Sequence, residues 1–137
     1  MSELKVFDTI ASPGRLEEVT RFVREGCGVA ADREVAKLDL IVEELFLNIA
    51  TYACPGEFMR VACSTAALPA IASVEFFYGG ARFDPTRDAP APDLDSPLVD
   101  RRIGGLGLFL VREMAESMTY LRDGGLNRLA VRVRMEG

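Results

Sequence analysis

The chain has 137 residues, of which 49% are hydrophobic and 27% charged, and its formal net charge is −5. These values are typical of one globular domain with a substantial core, and we predict that residues 1–137 form a single domain. The net negative charge argues against nucleic-acid binding, which usually requires a basic surface. Because the sequence contains no histidine, it excludes Ser-His-Asp and Cys-His catalysis and zinc sites with histidine ligands.

The cysteines and the N-terminal residues favour a cytoplasmic protein. Cys27, Cys54 and Cys63 form no C-x-x-C motif, and we interpret them as reduced, partly buried thiols. The first residues, MSELKVFDTIAS, lack the basic region and apolar run of a signal peptide. No stretch approaches the roughly 18 apolar residues that span a bilayer, so we expect no membrane association.

The first half of the chain predicts a strand, two helices and a hairpin. Ser12 and Pro13 are typical of the first positions of a helix, and Asp32 is a candidate cap for a longer one. The expected elements, in order, are a strand at 3–10, a helix at 12–26, a helix at 32–53 and antiparallel strands at 57–66 and 71–78.

The second half begins with a long irregular segment, 79–103, that contains four prolines and five aspartates. A loop of this length inside a compact domain is usually functional, and it is often a lid. A helix at 106–117 and strands at 118–122 and 127–135 are expected to follow. The whole pattern predicts an α+β fold, with helices on one face of a mostly antiparallel sheet.

A glycine-rich turn directly precedes the last predicted helix. Its residues are Gly104, Gly105, Leu106 and Gly107, and apolar residues at helical spacing follow. Such a turn leaves free N–H groups at the positive end of the helix dipole, where an anion is stabilised. Glycine also lets the backbone approach a ligand closely. The motif therefore favours a phosphate-binding turn; the alternative is an ordinary turn before a core helix.

The long predicted helix carries a carboxylate and a carboxamide on one side. Glu44 and Asn48 are four residues apart, which places them about 40° apart around the helix axis. They lie at the margin of a predicted buried stripe. Asparagine offers a neutral oxygen ligand to magnesium, and glutamate can orient or deprotonate a nucleophile. The alternative is a surface pair that only forms a hydrogen bond. The predicted stripe comprises Leu38, Ile41, Val42, Leu45, Ile49 and Tyr52.

These motifs together resemble a known family. The run 43–48, EELFLN, is similar to the N-box of GHKL (Bergerat-fold) ATPases, and 103–108, IGGLGL, is similar to their second glycine box. The most specific resemblance is to the anti-sigma-factor serine-protein kinases and their histidine-kinase-like relatives. The proline-rich segment between the boxes agrees with this, as do FDP at 83–85 and the closing run 120–129.

The resemblance implies a two-layer α/β sandwich that holds ATP and Mg²⁺ under a lid at about 79–103. It implies that Glu44 is the general base and Asn48 the magnesium ligand. Gly104, Gly105, Leu106 and Gly107 are implied as the backbone that binds the nucleotide phosphates. Members of the family inhibit a sigma factor and phosphorylate a serine of an antagonist protein, and many are homodimers.

The first glycine box departs from the family pattern. Tyr78 stands where the family has an aspartate that accepts a hydrogen bond from adenine, whereas Gly80 matches the expected glycine. Losing a charge-assisted acceptor in a buried site costs about 1.5–3 kcal/mol. The sequence therefore leaves two main functions open, an active kinase and a kinase-like binding module with weak or absent ATP binding. A sensory ATPase domain detached from a histidine kinase is a third, disfavoured by the missing phosphoacceptor histidine.

Overall fold

A computed structural model describes residues 3–67, 70–88 and 105–135, and these form a five-stranded sheet with helices on one face. The strands are β1 Lys5–Ile10, β2 Phe58–Ala67, β3 Ala70–Tyr78, β4 Ser117–Asp123 and β5 Leu126–Arg134. The helices are α1 Leu16–Gly26, α2 Asp32–Asn48, α3 Pro85–Asp88 and α4 Gly105–Met114. A 3₁₀ turn, Pro13–Arg15, precedes α1, and a π-helical turn, Ile49–Ala53, continues α2.

The strand order is β1-β2-β3-β5-β4, and every pair in the described part of the chain is antiparallel. Alternation along the strands decides which side chains meet the helices. On β5, Leu129 and Val131 are buried beneath the helices, while Arg128 is exposed on the opposite, open face of the sheet. On β3, Phe76 is buried and Glu75 pairs with Arg128 on the open face. The predicted α+β class is confirmed.

The predicted buried stripe of α2 is confirmed for five of its six residues: Leu38, Ile41, Val42, Leu45 and Ile49 are all buried. The prediction for Tyr52 was wrong, because 51% of this residue is exposed. The prediction assumed an unbroken α-helix through position 52. The π-helical turn has more residues per turn, so it rotates Tyr52 away from the core. Its ring lies instead 5.8 Å from that of Phe83.

Two predicted helix ends also differ from the structure. Asp32 is the first residue of α2 rather than its cap; Ala31 takes the cap position. Helix α4 ends at Met114, earlier than predicted, because the chain already joins the sheet there: the Glu116 N–H donates to the Arg132 carbonyl at 2.7 Å. The predicted lid lies largely outside the described residues. No described helix is long and apolar enough to cross a bilayer.

Candidate nucleotide-binding site

The predicted base and one of the predicted phosphate-binding glycines meet where α2 packs on α4. A Cβ atom built on Gly107 would overlap the Glu44 carboxylate at both oxygens, so this carboxylate lies directly against the α4 backbone. Gly107 is the third residue of α4, within the turn whose N–H groups have no intrahelical acceptor. A side chain at position 107 would therefore require the Glu44 carboxylate to move. The structure therefore brings the two motifs together over a separation of 63 positions, from 44 to 107.

The Glu44 carboxyl group has an unusual electrostatic environment. Its pKa is raised above the ordinary value of 4.5, mainly because burial disfavours the charged form and secondarily because Glu43 is a nearby negative charge. The positive end of the α4 dipole lies beside the group and favours its charged form. A carboxyl group whose pKa is shifted toward neutrality is better matched to general-base catalysis at physiological pH.

Asn48 is held in one orientation by the helix that carries it. The residue is 7% exposed, and its Nδ2 donates to the Glu44 carbonyl at 2.7 Å. This hydrogen bond uses the nitrogen side of the amide and leaves Oδ1 without a donor from the described residues. A neutral amide oxygen beside a carboxylate is a suitable ligand set for Mg²⁺. Asn48 and Glu44 thus have the chemistry that the predicted magnesium site requires.

Tyr78, the last residue of β3, stands where the sequence analysis expected the adenine contact. The residue is 1% exposed, and its hydroxyl donates to the Phe83 carbonyl at 2.7 Å. Burial raises the pKa of the phenol far above its usual range, so the group is neutral at every physiological pH. The hydroxyl proton is already used in the hydrogen bond to Phe83. The ring packs in the core next to the turn that follows β3. The adenine end therefore has no carboxylate and no solvent-open acceptor at this position, and does not fit the family's pattern.

Gly80 fixes the turn after β3 against the end of the α2 helical segment. Its φ angle of +79° is one that side-chain-bearing residues rarely adopt. A Cβ at this position would also overlap the Ala53 carbonyl oxygen. Both observations require glycine at position 80. The glycine of the first box is therefore present and shapes the turn, although Tyr78 replaces the aspartate expected two residues earlier.

Asn127 organises the turn, a role that the sequence analysis did not assign to it. The residue is fully buried on β5, directly opposite Tyr78 in the strand register. Its Nδ2 donates to the carbonyls of Tyr78, Gly79 and Ala81 at 3.2, 2.9 and 3.1 Å. Its Oδ1 accepts the Phe83 N–H at 3.2 Å and the Tyr120 hydroxyl. One side chain thus holds the backbone of the segment 78–83.

A signal for Asn127 was present in the sequence. Leu129, Val131 and Val133 are apolar residues at alternating positions of the last predicted strand, and position 127 lies on the same face of that strand. A polar residue on a buried strand face must find hydrogen-bond partners, which marks it as an organiser of nearby backbone. The remaining predicted residues are less informative. Gly105 begins α4, the side chain of Leu106 is not described, and Gly104 lies outside the described residues.

Comparison with known proteins agrees with this geometry. A family model described as a histidine kinase-like ATPase domain matches residues 9–134. Among solved structures, the histidine kinase AdeS of Acinetobacter baumannii resembles the fold with a TM-score of 0.51 and 13% sequence identity. That alignment covers 100% of this chain and 70% of AdeS. At such low identity, the structural likeness supports the fold alone. No curated protein sequence matches the chain.

Proposed function

The chain belongs to the histidine kinase-like ATPase family, and from this premise we propose that it is an ATP-dependent protein-serine kinase that acts as a cytoplasmic anti-sigma factor. The family membership gives the kinase or ATPase class. The finer assignment rests on the resemblance of the two boxes and on one observation, the contact between the Glu44 carboxylate and Gly107. This contact puts a candidate base beside free helix N–H groups, the arrangement that phosphoryl transfer needs.

Each residue of the site has a distinct task in this proposal. Asn48 Oδ1 would hold the magnesium ion, and the first-turn N–H groups of α4 would orient the nucleotide phosphates. Mg-ATP, when bound, supplies the phosphoryl group. Glu44 accepts the proton of the substrate serine hydroxyl, and its raised pKa makes it a stronger base than an exposed glutamate.

The proposed partners are a sigma factor, a serine-bearing antagonist protein and a second copy of the chain. The open face of the sheet is the surface that we assign to the second copy. It exposes Val6 and Phe58, and two of its arginines are paired within the chain: Arg60 binds Asp8 at 2.6 Å, and Arg128 binds Glu75 at 2.6 Å. Two copies that each carry a net charge of −5 can meet through this partly apolar face, where these pairs reduce repulsion.

A phosphotransfer assay tests the kinase proposal. The purified protein is incubated with γ-labelled ATP, Mg²⁺ and an extract of its source cells, and phosphoserine is detected on captured proteins. We expect a labelled partner with the wild-type chain and with Glu43→Ala, which changes the neighbouring carboxylate. We expect none with Glu44→Ala, although that variant still binds nucleotide. Labelling that persists in Glu44→Ala would rule out the assigned base.

A second candidate function is a kinase-like binding module that recognises the same partners without nucleotide. The complete burial of Tyr78 favours it, because the adenine contact of the family is replaced by a core side chain. Under this alternative, Tyr78→Asp restores an acceptor for the adenine amino group and creates ATP binding that the wild type lacks. The binding-module function would be excluded if Mg-ATP stabilised the wild type against heat and if this stabilisation were unchanged or reduced in Tyr78→Asp.

A further inference from the structure

A cavity lies toward the opposite end of α2 from the candidate nucleotide site. Its volume is about 390 Å³, and its lining includes Cys27, Ala31, Glu34, Ala66, Ile71 and Met135. It is formed where the connection between α1 and α2 meets the ends of β2, β3 and β5. Ten residues of α2 separate positions 34 and 44, a distance of about 15 Å along the helix axis. The volume lies within the range of about 300–1,000 Å³ that small-molecule sites occupy.

Among the described residues of this mainly apolar lining, Glu34 is the one acidic side chain. The residue is only 7% exposed, and its Oε2 is fully buried without a hydrogen-bond donor in the described part of the chain. Buried carboxylate oxygens almost always have a donor, because leaving water without one costs several kcal/mol. Because Glu34 also lines the cavity, a ligand bound there is a candidate for the missing partner of its carboxylate.

No group in the described residues supplies the missing donor. Glu34 is the third residue of α2, where the helix dipole favours negative charge, but no N–H of the described residues donates to Oε2. Lys37, one turn further along α2, donates to the Arg134 carbonyl at 2.6 Å. Arg134 itself pairs with Glu116 at 3.4 Å. Both cations thus bind partners other than Glu34.

We propose that this cavity binds a small organic cation, with a primary ammonium group paired to the Glu34 carboxylate and a compact apolar body against the alanine, isoleucine and methionine side chains. The charge of the ligand follows from the unpaired carboxylate, and its apolar body follows from the rest of the lining. The site is separate from the nucleotide site, so the inference does not depend on whether the chain binds ATP.

The test is a titration of the ¹⁵N-labelled full chain with a series of primary ammonium salts, from ethylammonium to hexylammonium, together with 2-phenylethylammonium. We expect saturable amide shifts in residues 28–34, 65–66 and 70–71, and affinity that increases with the apolar length of the probe. The uncharged analogue 2-phenylethanol should bind at least about tenfold more weakly than the amine, since it lacks the charge. A series in which no ammonium salt gives saturable shifts at millimolar concentration overturns the proposal.

Two variants separate the assigned contacts from a structural role of Glu34. Glu34→Gln keeps the shape and removes the charge, so we expect about tenfold weaker ammonium binding with little change in 2-phenylethanol binding. Ala66→Leu fills the cavity and keeps the charge, so both probes should lose binding. Glu113→Gln, an exposed glutamate on α4, is the matched control and should bind as the wild type does. Equal ammonium affinity in wild type and Glu34→Gln contradicts the proposal.

Discussion

The Glu44 carboxyl group lies at the point where the stability and the chemistry of the site are coupled. Burial and the Glu43 charge raise its pKa above 4.5, so folding makes the charged form less favourable than it is in the unfolded chain. As the pH rises, the unfolded chain loses this proton before the folded one does. Stability therefore falls from the unfolded pKa upward, and the loss is complete once the pH exceeds the raised folded pKa.

The first prediction follows from this linkage. Glu44→Gln removes the titrating group, so its stability advantage over the wild type should grow as the pH rises from the unfolded value of 4.5 until it exceeds the raised folded pKa. Urea unfolding at a series of pH values measures the difference. Glu113→Gln, exposed on α4, should follow the wild-type pH dependence. A Glu44→Gln variant with the same pH profile as the wild type would show that Glu44 is not buried against α4.

The second prediction concerns Asn127. Asn127→Ala leaves three carbonyls, one N–H and one hydroxyl without their partner in a buried position. Because each unsatisfied buried group costs about 1–3 kcal/mol, we expect a loss of about 3 kcal/mol or more in the free energy of unfolding. Thr119→Ala on the exposed side of β4 should change it by less than about 0.5 kcal/mol. Similar urea midpoints for both variants would contradict the network.

At the scale of elements, the crossing of α2 and α4 defines the site, and Gly107 is the residue that permits their close approach. Glycine inside a helix costs about 1 kcal/mol relative to alanine. Here alanine would place its Cβ on the Glu44 carboxylate. Replacing Gly107 therefore requires the Glu44 side chain to leave its present position.

The third prediction is a coupling between these two positions. Gly107→Ala alone should destabilise the protein, whereas in a Glu44→Ala background it should stabilise it by up to about 1 kcal/mol. A double-mutant cycle of unfolding free energies measures the coupling. The control pair is Glu44→Ala with Gly14→Ala, a glycine whose added Cβ would meet only the Ser12 hydroxyl at 4.0 Å. Additive effects at 44 and 107 would mean that the two helices do not approach as described.

For the whole molecule, the sheet has one covered face and one open face, and the open face carries the proposed dimer contact. The fourth prediction is that the protein sediments as a dimer and that Phe58→Glu, which adds charge to this face, converts it to a monomer. Leu110→Glu changes a residue of comparable exposure on α4, in the helical layer, and should leave the dimer intact. A wild-type monomer at all concentrations, or a dimer in both variants, would exclude this face.

Much of the architecture was predictable from the sequence, because alternation and helical spacing directly reflect which residues are buried. Leu129 and Ile49 are examples, and the order of the two boxes suggested that Glu44 and Gly107 would meet. Tyr52 was mispredicted, since the π-helical turn that rotates it depends on how the helix end packs. The cavity at Glu34 was beyond sequence reasoning: its walls come from separate elements, and no local pattern places them together.

Calorimetric titration with Mg-ATP tests the central claim most directly, namely that Glu44, Asn48 and the first turn of α4 form a working phosphate and metal site. We predict saturable one-to-one binding by the wild-type chain, weaker in Asn48→Ala when magnesium is present and equal in the two proteins when magnesium is chelated. No heat and no thermal stabilisation at millimolar Mg-ATP would contradict the account.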